Sequence, residues 1–83
     1  MGEELVGRVT HYYGRIGVAA VRLTAPLKVG ERIWIVGRTT DLEQAVTSLE
    51  LDHRPIGEGL PGQEVGLLVA ERVREGDRVY RVS

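Results

Sequence analysis

Glycine sets the grain of this 83-residue chain. The stretch LKVGERIWIV, Leu27 to Val36, returns near the end as VREGDRVYRV, Val73 to Val82. Each copy runs apolar, basic, variable, Gly, acid, Arg, and then alternates β-branched and aromatic residues. Gly30 and Gly76 therefore each read as the turn that feeds a strand, with the acid and Arg that follow left in solvent. A chain cut into short alternating pieces has no room for a long helix, and its period of two is that of half-buried strands.

The other segments fit the same scheme. Leu5 to Thr10 and Val18 to Leu23 read as strands, the second offering Ala19, Val21 and Leu23 to one face. HYYGRIG between them, with Gly14 and Gly17, is a hairpin turn or a longer bent connection, and Ala25-Pro26 interrupts any ladder. In IWIV, Ile33 and Ile35 share one face while Trp34 and Val36 share the other, which predicts burial on both sides. In VYRV the apolar face is that of Tyr80 and Val82. TTDLEQAV has capping-box spacing at Thr40 and Glu43, but it is short. It reads better as an ordered hairpin loop with at most one helical turn, leading into a strand from Val46 to Leu51 with Thr47, Leu49 and Leu51 on one face. Pro61 and Gly62 stand where a type II turn needs them, ahead of a strand with Val65, Leu67 and Val69 inward.

Phe is absent, so the core must come from Val, Leu, Ile and Ala. The expectation is one all-β domain over residues 1–83: a small closed antiparallel Greek-key barrel of about six or seven strands, since closure removes exposed edges. A net charge of −1 argues against gripping nucleic acid through bulk electrostatics. The lack of Cys excludes disulfides, thiolate catalysis and Cys-ligated zinc, and two His without a third ligand predict no metal site. Nothing in the sequence asks for a cofactor. The acidic N-terminus MGEELVGRV lacks a signal pattern, and no apolar run approaches the roughly 20 residues of a span, so the expectation is a cytoplasmic protein with no membrane contact.

The candidate binding patch is Arg38, Thr39, Thr40, Asp41 and Gln44, whose donors and acceptors exceed what a hairpin needs and suit a phosphate or a partner backbone. Equally, Thr40 and Asp41 could bond local amides and Arg38 a nearby acid. His53 and Arg54, just before Pro55, form a second polar cluster. His11, Tyr12 and Tyr13 are either a stacking platform for a base or rim packing. Arg72, Arg74, Arg78 and Arg81 are interleaved with Glu71, Glu75 and Asp77, which predicts cross-strand ion pairs. No nucleophile stands beside a base, so no enzymatic activity is expected.

The pieces GVAAVRL, LKVGERIWIVG, VTSLELDHRPI, LPGQEVGLLV and VREGD, in that order, resemble the β-barrel that follows the GTPase domain in translation factors such as elongation factor Tu. The resemblance is closer to the small free-standing elongation-factor-like proteins, which carry a segment like GRTTDLEQAVTSLELDHRPI. Barrels of this kind are also appended to other proteins, including a peptidase family. The resemblance implies a translation-type barrel and a non-enzymatic module that docks to RNA or to a protein of the translation machinery. The other reading is a protein interaction subunit unrelated to RNA. No G-x-x-x-x-G-K-S/T loop is present, so nucleotide hydrolysis is not expected.

Overall fold

The computed structural model describes residues 2–83, which form ten strands and no helix. In chain order these are β1 (Glu3–Tyr13), β2 (Val18–Leu23), β3 (Leu27–Lys28), β4 (Arg32–Val36), β5 (Asp41–Ala45), β6 (Leu49–Leu51), β7 (Arg54–Ile56), β8 (Glu58–Gly59), β9 (Glu64–Leu68) and β10 (Arg78–Val82). Eight of them make one sheet in the order β5-β4-β10-β1-β2-β9-β6-β7, and β3 pairs with β8. Every pairing is antiparallel. The all-β, antiparallel expectation is met. The ladder holds more strands than the sequence suggested, and it ends at β5 and β7 without joining into a ring.

The sheet bends at β1, which pairs with β10 through residues 3–8 and with β2 through residues 7–13. Its register slips between Leu5 and Gly7 on one side and between Val9 and His11 on the other. A slip of this kind puts an extra residue in one strand and turns it. It also undoes simple alternation, so Leu5 is exposed while Val6 and Val9 are buried.

Ala19, Val21 and Leu23 of β2, Ile33 and Ile35 of β4, and Val65 and Leu67 of β9 meet in a core completed by Leu27, Leu49 and Val79. Val69, just beyond β9, is buried as expected. Aliphatic side chains fill the interior, and Tyr12 packs against it only in part. Burying each Val, Leu or Ile contributes about 1.5–3 kcal/mol, so stability rests on many small fillers without one large anchor.

One face assignment and two element assignments need correction. In β10 the core takes Val79, because Val79 lies opposite Ile35 of β4 and both point inward. Tyr80 lies opposite Trp34 on the outer face, their rings 5.6 Å apart, and both stay half-buried. TTDLEQAV is neither a loop nor a helical turn. Residues 41–45 form β5, which pairs with β4 along its length and turns Leu42 inward. Glu43 does not cap a helix but takes the Arg32 guanidinium at 2.7 Å. Of the strand expected at Val46 to Leu51, only residues 49–51 are ladder-paired, as β6, and Thr47 is exposed. Val46 is buried by bonding to the Gly30 turn instead, exchanging backbone hydrogen bonds of 2.8 Å with Gly30 and Glu31.

The repeated motif marks one turn, used three times. In Lys28–Glu31, Leu60–Gln63 and Arg74–Asp77 the fourth residue donates its N–H to the carbonyl of the first, at 3.1 to 3.2 Å. The third residue is Gly at a φ of 98° (Gly30), 90° (Gly62) and 90° (Gly76), a region that side-chain-bearing residues avoid. The fourth side chain then reaches back: Glu31, Gln63 and Asp77 each accept the N–H of the first residue at 2.8 Å. The acids of the repeat were expected to stay in solvent. They cap their own turns, and Asp77 is only 5% exposed.

Candidate functional site

The outer face of β2, β9 and β6 carries a groove of about 380 Å³. Because Ala19, Leu67 and Leu49 face the core, alternation turns Val18, Ala20, Gly66 and Glu50 outward, and register sets Ala20, Gly66 and Glu50 side by side. Gly66 brings no side chain to this floor, which keeps it open. One wall is the β1–β2 turn with Tyr13 and Ile16, the latter 67% exposed. The other is the β6–β7 turn, where Asp52 and His53 hold φ angles of 53° and 65°. Two consecutive positive φ angles between paired strands are the mark of a tight type I′ hairpin. Asp and His tolerate that region better than most residues. Glu50, Asp52 and Glu64 give this apolar groove an acidic rim.

A second concavity, of about 500 Å³, lies where the Arg74–Asp77 turn meets the β4–β5 turn. Arg8, Arg38, Arg74 and Arg78 line it. Its back is built by Asp77 and Gly37, which are in such close contact that a Cβ on Gly37 would fall 1.9 Å from the Asp77 carboxylate.

The residues singled out from sequence are dispersed. Arg38 and Thr39 are exposed on the β4–β5 turn, which a Gly37 N–H to Thr40 carbonyl bond of 2.9 Å closes, and Thr40 is buried at 5% exposure. Asp41 accepts the Trp34 indole N–H at 2.7 Å. The Gln44 amide donates to the Leu68 carbonyl at 2.9 Å, and its oxygen accepts the Ala70 N–H at 2.8 Å. Only Arg38 of this group lines the arginine cleft, and only His53 of the second pair, without Arg54, lines the groove. His11 and Tyr13 sit with ring centroids 4.3 Å apart, but strand alternation sends Tyr12 to the other face, so the three rings make no common platform.

The expected ion pairs form at one arginine of four. Arg81 binds Glu4 at 2.6 Å, Glu31 at 3.2 Å and the Pro26 carbonyl at 2.6 Å. The Glu4 hydrogen bond, helped by Glu31 and opposed by slight burial, holds this guanidinium above its ordinary range. Arg72, Arg74 and Arg78 have no carboxylate within 4.0 Å among the described residues, while Glu75 pairs with His11 at 3.2 Å. Among the described residues no three His, Asp or Glu side chains gather to hold a metal ion, and no helix is long and apolar enough to cross a membrane.

Sequence reasoning missed Ile16, Asp52, Arg8 and Gly37. Asp52 carried only a partial signal, since Asp tolerates a positive φ but Asp-His lacks the Gly that marks a type I′ turn. Arg8 and Gly37 become significant only through register and contact.

No family model matches the chain. It is 40% identical over 76 residues to an uncharacterized protease of Methanocaldococcus jannaschii, an alignment that takes in 90% of this chain. It is 32% identical over 78 residues, 92% of this chain, to a collagenase of Porphyromonas gingivalis. The chain spans about a fifth of these relatives, 19% and 22% of their lengths. In three dimensions it is similar to the C-terminal domain of a U32 peptidase of Geobacillus thermoleovorans, with a TM-score of 0.90 at 17% identity, covering 96% of this chain and 93% of that one. The selenomethionine variant of that domain gives a TM-score of 0.86 at 19% identity, covering 92% and 96%.

These findings overturn the assignment to translation factors, together with the docking role in translation and the non-enzymatic status that it implied. The relatives are a protease and a collagenase, and the matching fold is that of a U32 peptidase domain. The misassignment has a physical reason. Glycine turns feeding alternating strands specify a way of folding, and such a pattern carries no function of its own.

Proposed function

We propose that the chain is the β-domain of a U32-type peptidase, and that its part in peptide-bond cleavage is to hold the polypeptide substrate. The observation that carries this reading is the groove on β2, β9 and β6: a glycine floor, exposed Tyr13 and Ile16 on one wall, and an acidic rim of Glu50, Asp52 and Glu64. An open, partly apolar channel with few polar groups suits an extended peptide, and the rim favours one carrying Lys or Arg. Isothermal titration with a basic, Gly- and Pro-rich gelatin peptide tests it. Ile16→Ser should weaken binding roughly tenfold at unchanged melting temperature, the loss expected from removing one buried aliphatic side chain. Equal affinity in the two proteins, or no binding by either, refutes the assignment.

We further infer that the sheet closes into a barrel through a side chain. Gln44 on the edge strand β5 donates to the carbonyl of Leu68, the last residue of β9, and accepts the N–H of Ala70 just beyond it, as a neighbouring strand would. Gln44→Ala should lower stability by about 1–2 kcal/mol and speed exchange of the Ala70 amide. Undiminished protection of that amide would count against closure.

A further inference from the structure

Arg8 of β1 lies directly opposite Arg22 of β2 on one side and Arg78 of β10 on the other. Three guanidinium side chains thus stand abreast on adjacent strands about 4.8 Å apart, all exposed. Like charges directly opposite each other destabilise a sheet. The nearby acids form no ion pair with the row. None of the three, nor Arg38 or Arg74, has a carboxylate within 4.0 Å among the described residues. Asp77 spends one carboxylate oxygen on the Arg74 N–H, Glu75 is on His11, and Glu64, opposite Arg22, accepts the Thr10 hydroxyl.

We propose that this row, continued by Arg38 and Arg74 into the cleft of about 500 Å³, is a docking site for an acidic helical segment of a polypeptide. Concavity favours a bound partner over counterions, and guanidinium groups match carboxylates in bidentate pairs. Carboxylates three and four residues apart on a helix lie about 5–6 Å from each other, close to the spacing of adjacent strands. Single-stranded nucleic acid is the poorer fit. Among the described residues no aromatic ring lines the cleft to stack a base, and Glu75 stands on its rim.

Fluorescence anisotropy with a labelled helical peptide bearing Glu at i, i+4 and i+7, and with its Gln counterpart, tests the proposal. The Glu peptide should bind at least tenfold more tightly than the Gln peptide, and less tightly as salt rises. The double variant Arg8→Gln, Arg78→Gln should lose at least tenfold in affinity while remaining folded, whereas Arg15→Gln, on the β1–β2 turn, should leave affinity unchanged. Equal binding of the two peptides, equal loss in the Arg15 variant, or displacement of the Glu peptide by a weaker concentration of single-stranded RNA than of unlabelled peptide overturns it.

Discussion

The two copies of the repeated motif build the same turn and then treat their charges differently. At Lys28–Glu31 the acid is half-buried, caps the turn and also binds Arg81, and the Arg that follows, Arg32, is taken by Glu43 at 2.7 Å. At Arg74–Asp77 the acid is one methylene shorter, is buried, and sits where Gly37 leaves space. Its following Arg78 meets Arg8 across the ladder and has no carboxylate partner among the described residues. The Arg that follows the turn is thus paired in the first copy and, among the described residues, unpaired in the second, although Arg81 at the end of the second copy binds Glu4 and Glu31. This difference at the Arg after the turn, Arg32 against Arg78, is the contrast on which the proposed docking of an acidic segment rests.

The largest consequence concerns the acids themselves. Asp77→Ala should destabilise the protein by about 1–3 kcal/mol, because the partly buried Arg74 N–H is left unpaired and a void opens beside Gly37. Glu31→Ala should lose less, about 0.5–1.5 kcal/mol, since the Lys28 N–H is exposed and water replaces the cap. Urea denaturation of the two variants checks the order, and a larger loss at Glu31 would break the comparison.

Much of this comparison lay beyond sequence reasoning, for reasons that particular residues make clear. Gly30, Gly76 and the Pro61-Gly62 pair announced their turns, because backbone angle is a local property. The inward faces of β2 and β9 followed from strict alternation of Ala19, Val21 and Leu23 and of Val65, Leu67 and Val69. The strand β5 was hidden because Asp41, Glu43 and Gln44 surround a single buried Leu42, and helix spacing fits that pattern as well as strand spacing does. Leu5 to Thr10 was read as a strand without a face, and the register slip that leaves Leu5 exposed beside buried Val6 has no trace in composition. Of the candidate site, Arg38 and His53 were named and do line concave surfaces. The Arg22, Arg8 and Arg78 row was invisible, since it needs the register of β1 with β2 and the pairing of β1 with β10 from the other end of the chain.

The account's central claim is that Arg78 of the second copy and its ladder neighbours Arg8 and Arg22 repel one another without a carboxylate partner within 4.0 Å among the described residues, and differential scanning calorimetry tests it most directly. At low salt the double variant Arg8→Gln, Arg78→Gln should melt about 1–6 °C higher than the parent, the equivalent of about 0.2–1 kcal/mol of relieved repulsion in a chain of this length. The rise should fade as added salt screens the charges, and Arg32→Gln in the first copy should instead lower the melting temperature slightly through loss of its Glu43 pair. A lower melting temperature for the double variant at low salt would contradict the claim, because those arginines would then be stabilising the fold.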